Sequence, residues 1–214
     1  MSSVADLLTT VKELALVGVG DGSDDDRLLR YMNLVYKEAY RRTAAIYPTL
    51  LLSQNTVTIT DGAGVMSDIP FKVESVKDSG NGNRLLSPTT LPNLEDCHPN
   101  LSDVGSPSWY YFTGAKAIAT YPVNSTTVKV RFIKSSGTLG VNDAENAILI
   151  PAEFHDLLIW GTLFYLAYDE RDKAAGPEVQ IAQSKYEIAL ADFTTWLTQN
   201  QPGPSKQTKA VLAS

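Results

Sequence analysis

The segment Ile150-Pro-Ala-Glu-Phe-His-Asp-Leu-Leu-Ile-Trp-Gly-Thr-Leu-Phe-Tyr-Leu-Ala-Tyr-Asp-Glu-Arg-Asp172 limits what this chain can fold into more than any other. Phe154, Leu157, Leu158, Gly161, Phe164, Tyr165 and Tyr168 fall on one face of a helix, while Ile159, Trp160, Leu163 and Leu166 cover much of the rest. A helix of this kind has to be buried nearly all round. At roughly 1.5 to 3 kcal/mol for each fully buried large side chain, about eight of them contribute about 12 to 24 kcal/mol gross, too much to leave half in water. The segment is therefore either the centre of a helical core or a helix completed by a neighbouring protomer. It is not a membrane span, because the run from Phe154 to Tyr168 is bracketed by carboxylates and falls short of the roughly 20 apolar residues a bilayer requires.

The flanking sequence supplies further helices. Val4, Leu7, Leu8, Val11, Leu14 and Ala15 predict a short amphipathic helix over residues 4–17, ended by Gly18-Val-Gly-Asp-Gly22. Ser23-Asp24-Asp25-Asp26 supplies an N-cap and acids that suit a helix N-terminus, and Leu28, Tyr31, Val35, Ala39 and Ile46 carry the stripe on to Tyr47-Pro48. After the opening segment, Pro177 and Glu178 start a last helix with the stripe Val179, Ala182, Tyr186, Leu190, Phe193 and Leu197, stopped by Gln201-Pro-Gly-Pro204.

Between these helices the period changes to two. Thr56–Thr60 and Phe71–Lys77 alternate as half-buried strands with a turn at Asp61-Gly-Ala-Gly64 between them, and Asn81-Gly82 predicts a hairpin leading into Arg84-Leu-Leu86. Residues 87–108 are rich in Pro, Asn, Ser and Asp and read as a long loop. Residues 108–113, 116–121 and 126–133 then read as a three-stranded meander, followed by a loop over residues 135–146.

Chemistry finds little support. Glu153 and His155 lie about 200° apart around a helix, so they cannot share a metal, and the second histidine, His98, sits in the irregular region. Asp169 is on the His155 side, but about 21 Å further along the axis. A nucleophile elbow is missing, and the Gly18–Gly22 cluster lacks the spacing of a dinucleotide site. The acidic run from Asp21 fails as a calcium loop because its twelfth residue is Met32. Cys97, the single cysteine, rules out an internal disulfide and, with His98, is the only candidate for an enzymatic site. A net charge of -6 argues against gripping a phosphate backbone. No basic stretch followed by an apolar core opens the chain, so it is expected to stay where it is made. The expectation is no catalytic residue, no metal and no cofactor.

The order Trp109-Tyr-Tyr-Phe-Thr-Gly-Ala-Lys-Ala-Ile-Ala-Thr-Tyr-Pro-Val123, Val128-Lys-Val-Arg-Phe-Ile133, Gly137-Thr-Leu139, Ile150-Pro-Ala-Glu-Phe-His155 and Tyr168-Asp-Glu-Arg-Asp172 resembles tailed-bacteriophage head-to-tail adaptor (neck, connector) proteins. The resemblance implies an α+β fold in which N- and C-terminal helices (residues 1–50 and 147–200) form a bundle carrying an inserted antiparallel β-rich module (residues 51–146). It implies a structural virion protein in the phage neck, assembled in the host cytoplasm as a ring of typically twelve copies. Its partners would be the portal protein, the tail or nozzle proteins and itself, with DNA passing through the ring without sequence-specific contact. Terminal extensions in such proteins grip the portal. Residues 201–214, too short and polar to hold a core, are thus expected to be flexible until they dock there through Pro202, Pro204, Lys206, Lys209, Val211 and Leu212. The alternative is a β-sandwich module binding carbohydrate or protein, with Trp109, Tyr110 and Tyr111 as a stacking platform. Strand alternation sets Trp109 and Tyr111 on one face and Tyr110 and Phe112 on the other, so at least one pair belongs to the core.

Overall fold

The computed structural model describes residues 3–15, 23–99, 101–169 and 177–201. Among these the chain forms five helices, α1 (Val4–Ala15), α2 (Ser23–Ile46), α3 (Leu91–Cys97), α4 (His155–Asp169) and α5 (Pro177–Gln199). It forms seven strands: β1 (Leu52–Ile59), β2 (Ala63–Val65), β3 (Pro70–Asp78), β4 (Arg84–Pro88), β5 (Trp109–Phe112), β6 (Ala117–Tyr121) and β7 (Thr126–Lys134). The fold is α+β. It divides into two compact units, residues 1–47 with 136–214, and residues 48–135.

In the helical unit α4, the opening segment of the sequence, lies against α1, α2 and α5. Leu157, Leu158, Gly161, Thr162, Leu163 and Leu166 are buried, and Phe154, Ile159, Trp160, Phe164 and Tyr165 pack partly buried around the same core. Of the two covers that the sequence allowed, this chain's own helices supply most of one. Gly161 sets how closely they approach: a Cβ there would stand 2.6 and 2.7 Å from the Val35 methyls on α2 and 2.9 Å from the Tyr186 ring on α5.

The ends of α4 are fixed by polar groups. A 3-10 turn, Ala152–Phe154, leads in from Pro151, and the buried His155 ring contacts the Ile150 carbonyl through Nε2 at 3.1 Å. Asp156 Oδ1 accepts the Leu157 N–H at 2.9 Å. At the far end Asp169 accepts the Tyr31 hydroxyl and, at 3.2 Å, Arg27 Nη2. The Tyr31 hydrogen bond, with Arg27 beside it, holds the Asp169 carboxyl below its usual pKa. Asp169 thus ties α4 to α2. Glu170 and Asp172 lie outside the described residues.

In α1, Ser3 and Asp6 exchange hydrogen bonds between side chain and backbone, Ser3 N–H to Asp6 at 2.9 Å and Asp6 N–H to Ser3 Oγ at 3.2 Å, which closes the first turn. Val4, Leu7, Leu8 and Val11 are buried as their spacing requires, whereas Leu14 is exposed. In α5 the stripe faces the core through Ala182, Tyr186, Phe193 and Leu197. Residues 136–146, assigned from sequence to the β-rich module, belong to the helical unit. The reason is Asn33, buried on α2, which donates to the Leu139 carbonyl at 3.1 Å and accepts the Leu139 N–H at 2.8 Å.

In the β unit the spatial order is β1-β7-β3-β4-β5-β6-β2. Its two end strands, β1 and β2, are neighbours in sequence, joined through a Thr60↔Ala63 bridge with Asp61 and Gly62 at positive φ. The sheet therefore curls back towards its own start. Alternate residues point inward from nearly every strand: Val57 and Ile59, Val76, Leu86, Tyr110, Ile118, and Val128, Val130 and Phe132, with Met66 just beyond β2.

Three sequence expectations are corrected here. The meander stops after β5 and β6, because β7 leaves them to lie between β1 and β3, where both sides of its apolar stripe are covered. The module is not purely antiparallel, since β4 and β5 pair in parallel through Ser87↔Trp109 and Pro88↔Tyr110. A parallel pair needs a crossover, and the region read as a loop supplies it as α3, with Pro92 at its start and Leu94 buried. The Asn81-Gly82 hairpin does join β3 to β4, with the positive φ values one residue later than Asn81-Gly82, at Gly82 and Asn83.

Candidate interaction surfaces

The residues that looked like chemistry are each accounted for separately. Glu153, His155, Asp156 and Asp169 sit at different places on α4 or its lead-in turn. Asp25 of the acidic run pairs with Lys12. Cys97 is exposed at the end of α3. The His98 ring lies between Trp109, at 5.8 Å, and Tyr121, at 5.0 Å, so it is taken up in an aromatic cluster. Tyr121 closes this cluster by donating to Asp103 at 2.5 Å, which together with burial pushes its hydroxyl pKa up to about 12. Among the described residues no group of His, Cys, Asp and Glu could hold a metal. No described helix is long and apolar enough to cross a membrane. Pro202, Pro204, Lys206, Lys209, Val211 and Leu212 lie outside the described residues.

The aromatic strand Trp109–Phe112 behaves as its alternation requires. Tyr110 is buried with Phe112 edge-on to it at 6.2 Å, while Trp109 leans on His98 and Tyr121. A flat platform for a sugar needs aromatic faces open to solvent, and here Trp109 and Tyr110 are both engaged internally.

Two exposed surfaces among the described residues suit a contact with another molecule. On α5, the side opposite the core exposes Ile181 and Ile188, each 55% accessible and seven residues apart, with Ser184 between them and Ala191 beyond. On the β unit, the outward side of the sheet is basic. Register places Lys129 of β7 directly opposite Lys77 of β3, with Thr56 of β1 and Leu85 of β4 completing the row. In the next row Arg131 stands between Gln54 and Ser75. Like charges directly opposite on a sheet are destabilising, so this row works against the monomer's own stability. Neither surface was read from the sequence. The seven-residue spacing of Ile181 and Ile188 and the alternation of Lys129 and Arg131 were visible signals, but only strand register shows that Lys77 joins them.

The model of the family described as SU10 adaptor protein matches residues 2–206. No curated protein matches the chain.

Proposed function

This chain belongs to the SU10 adaptor protein family, and from that premise we propose that it is a head-to-tail adaptor which closes into a ring between the portal and the tail of a tailed phage. The family match, which extends over residues 2–206, carries the reading. Adaptors of this kind have a structural role in the phage particle. The arrangement of side chains agrees with such a role, because the polar groups of α4 serve its ends and its neighbours.

In this reading the four helices of the larger unit act as the bundle and the β unit as its insertion. About twelve copies form the ring in the virion neck, after assembly in the host cytoplasm, and the tail or nozzle proteins seat on it from the other side. The exposed Ile181 and Ile188 on α5 supply apolar surface suited to contact with a second chain. Residues 201–214, with Pro202, Pro204, Lys206, Lys209, Val211 and Leu212, grip the portal.

Deleting residues 201–214 tests the grip. The truncated chain is expected to keep its circular dichroism spectrum and melting temperature, because the described core ends with α5. It is expected to fail to co-elute with portal on size-exclusion chromatography. A truncated chain that still forms a stable portal complex means that the portal is held elsewhere.

A further inference from the structure

The ring reading leaves open which surfaces join one copy to the next, and charge points to an answer. By sequence, the helical unit holds 17 Asp and Glu against 11 Lys and Arg, while the β unit holds 7 of each, so the whole surplus of the -6 chain lies in the helical unit. Its acid is concentrated: between Lys134 and Arg171 the chain has Asp143, Glu145, Glu153, Asp156, Asp169 and Glu170 and not one Lys or Arg.

Several of these acids already have work within the chain. Asp143 accepts the Gly140 N–H at 2.7 Å, Asp156 accepts the Leu157 N–H and Asp169 is held by Tyr31 and Arg27. The carboxylates of Glu145 and Glu153, in the two 3-10 turns leading to α4, have no hydrogen-bond or ion-pair partner among the described residues. On the β unit, Lys77, Lys129 and Arg131 are exposed on one sheet side and likewise have no ion pair among the described residues. The nearby carboxylate of Glu74 is taken by Lys72 at 2.9 Å.

We infer that, within the proposed ring, the Lys77–Lys129–Arg131 face of one copy docks on the Glu145–Glu153 turns of the next copy. The inference rests on the ring reading. The two patches are different surfaces of one chain, so the contact is head-to-tail, the kind that closes rings when repeated. A carboxylate partner on this face relieves the cross-strand repulsion between Lys77 and Lys129. A nucleic-acid backbone is a weaker fit, because three basic groups per chain release few counterions.

The test is the assembly state of the full chain with portal, measured by sedimentation velocity across a concentration series. Lys77→Glu/Lys129→Glu is expected to raise the concentration needed for assembly about 100-fold, since it sets like charges against each other at the seam. Adding Glu145→Lys/Glu153→Lys to the same chain is expected to restore assembly. Unfolding is checked separately: Lys77→Glu alone sets opposite charges across the strands and is expected to raise the melting temperature by roughly 1 to 3 °C. If Lys77→Glu/Lys129→Glu assembles like the parent chain, the seam is wrong while the ring stands. If that variant assembles normally but loses affinity for duplex DNA, the face belongs to nucleic acid and the inference is overturned. If the parent chain itself never assembles, with or without portal, the ring reading fails and the seam with it.

Discussion

Replacing Gly161 by alanine is expected to destabilise the protein by about 2 kcal/mol, although alanine is the better helix former by about 1 kcal/mol. The added methyl carbon would sit 2.6 and 2.7 Å from both Val35 methyls and 2.9 Å from the Tyr186 ring. Val35 is β-branched and cannot swing aside on a helix without leaving its preferred rotamer. Relief therefore requires α2 or α5 to move away from the central helix, which loosens the contacts of Leu157, Leu158 and Phe193 as well. Val35→Ala alone is expected to cost about 2 kcal/mol by leaving a cavity. Combined with Gly161→Ala it should cost at least about 1 kcal/mol less than the sum, because the new methyl enters the space the valine vacates. Urea denaturation of the four proteins measures this cycle. A Gly161→Ala variant as stable as the parent, or additive behaviour of the pair, means that the helices are not that close.

Asp78→Ala is expected to cost about 3 kcal/mol, felt in the β unit. The Asp78 carboxylate is fully buried and accepts hydrogen bonds from Gly80 N–H at 3.1 Å, Asn81 Nδ2 at 2.5 Å and Thr126 Oγ1 at 2.6 Å. It thus ties the β3–β4 turn to the start of β7, and truncation leaves these donors without their acceptor at about 1 to 3 kcal/mol for each one that stays unsatisfied. Gly80 N–H keeps a second acceptor in Thr127 O at 3.3 Å, so only Asn81 and Thr126 lose theirs, and about 3 kcal/mol lies towards the lower end of the roughly 2 to 6 kcal/mol that those two donors together give. Asp78→Asn keeps one acceptor oxygen and is expected to cost about half as much. Amide hydrogen exchange should localise the loss to β3, β4 and β7 with α4 and α5 unaffected. A change of less than about 0.5 kcal/mol for Asp78→Ala would show that the carboxylate does not hold the turn.

Local periodicity made a large share of this fold readable. The helices α2, α4 and α5 follow from stripes at spacings of three and four, and the inward set Val128, Val130 and Phe132 follows from alternation. What could not be read depends on distant partners. Nothing near β7 says that it will choose β1 and β3 over β6, and nothing near β4 says that it will pair in parallel with β5. Asn33 captures Leu139 across 106 residues of chain, and no local signal marks residues 136–146 as part of the helical unit. The basic face is a similar case, since Lys77 and Lys129 meet only through register. By contrast, the dispersal of Glu153, His155 and Asp169 along α4 and its lead-in turn needed only helix geometry to read.

The most direct measurement is the native mass of the full chain, alone and after mixing with portal protein. The ring reading gives a stable complex carrying about twelve adaptor copies of 23.3 kDa each, near 280 kDa of added mass. A species that remains a 23.3 kDa monomer beside the portal at every concentration contradicts it.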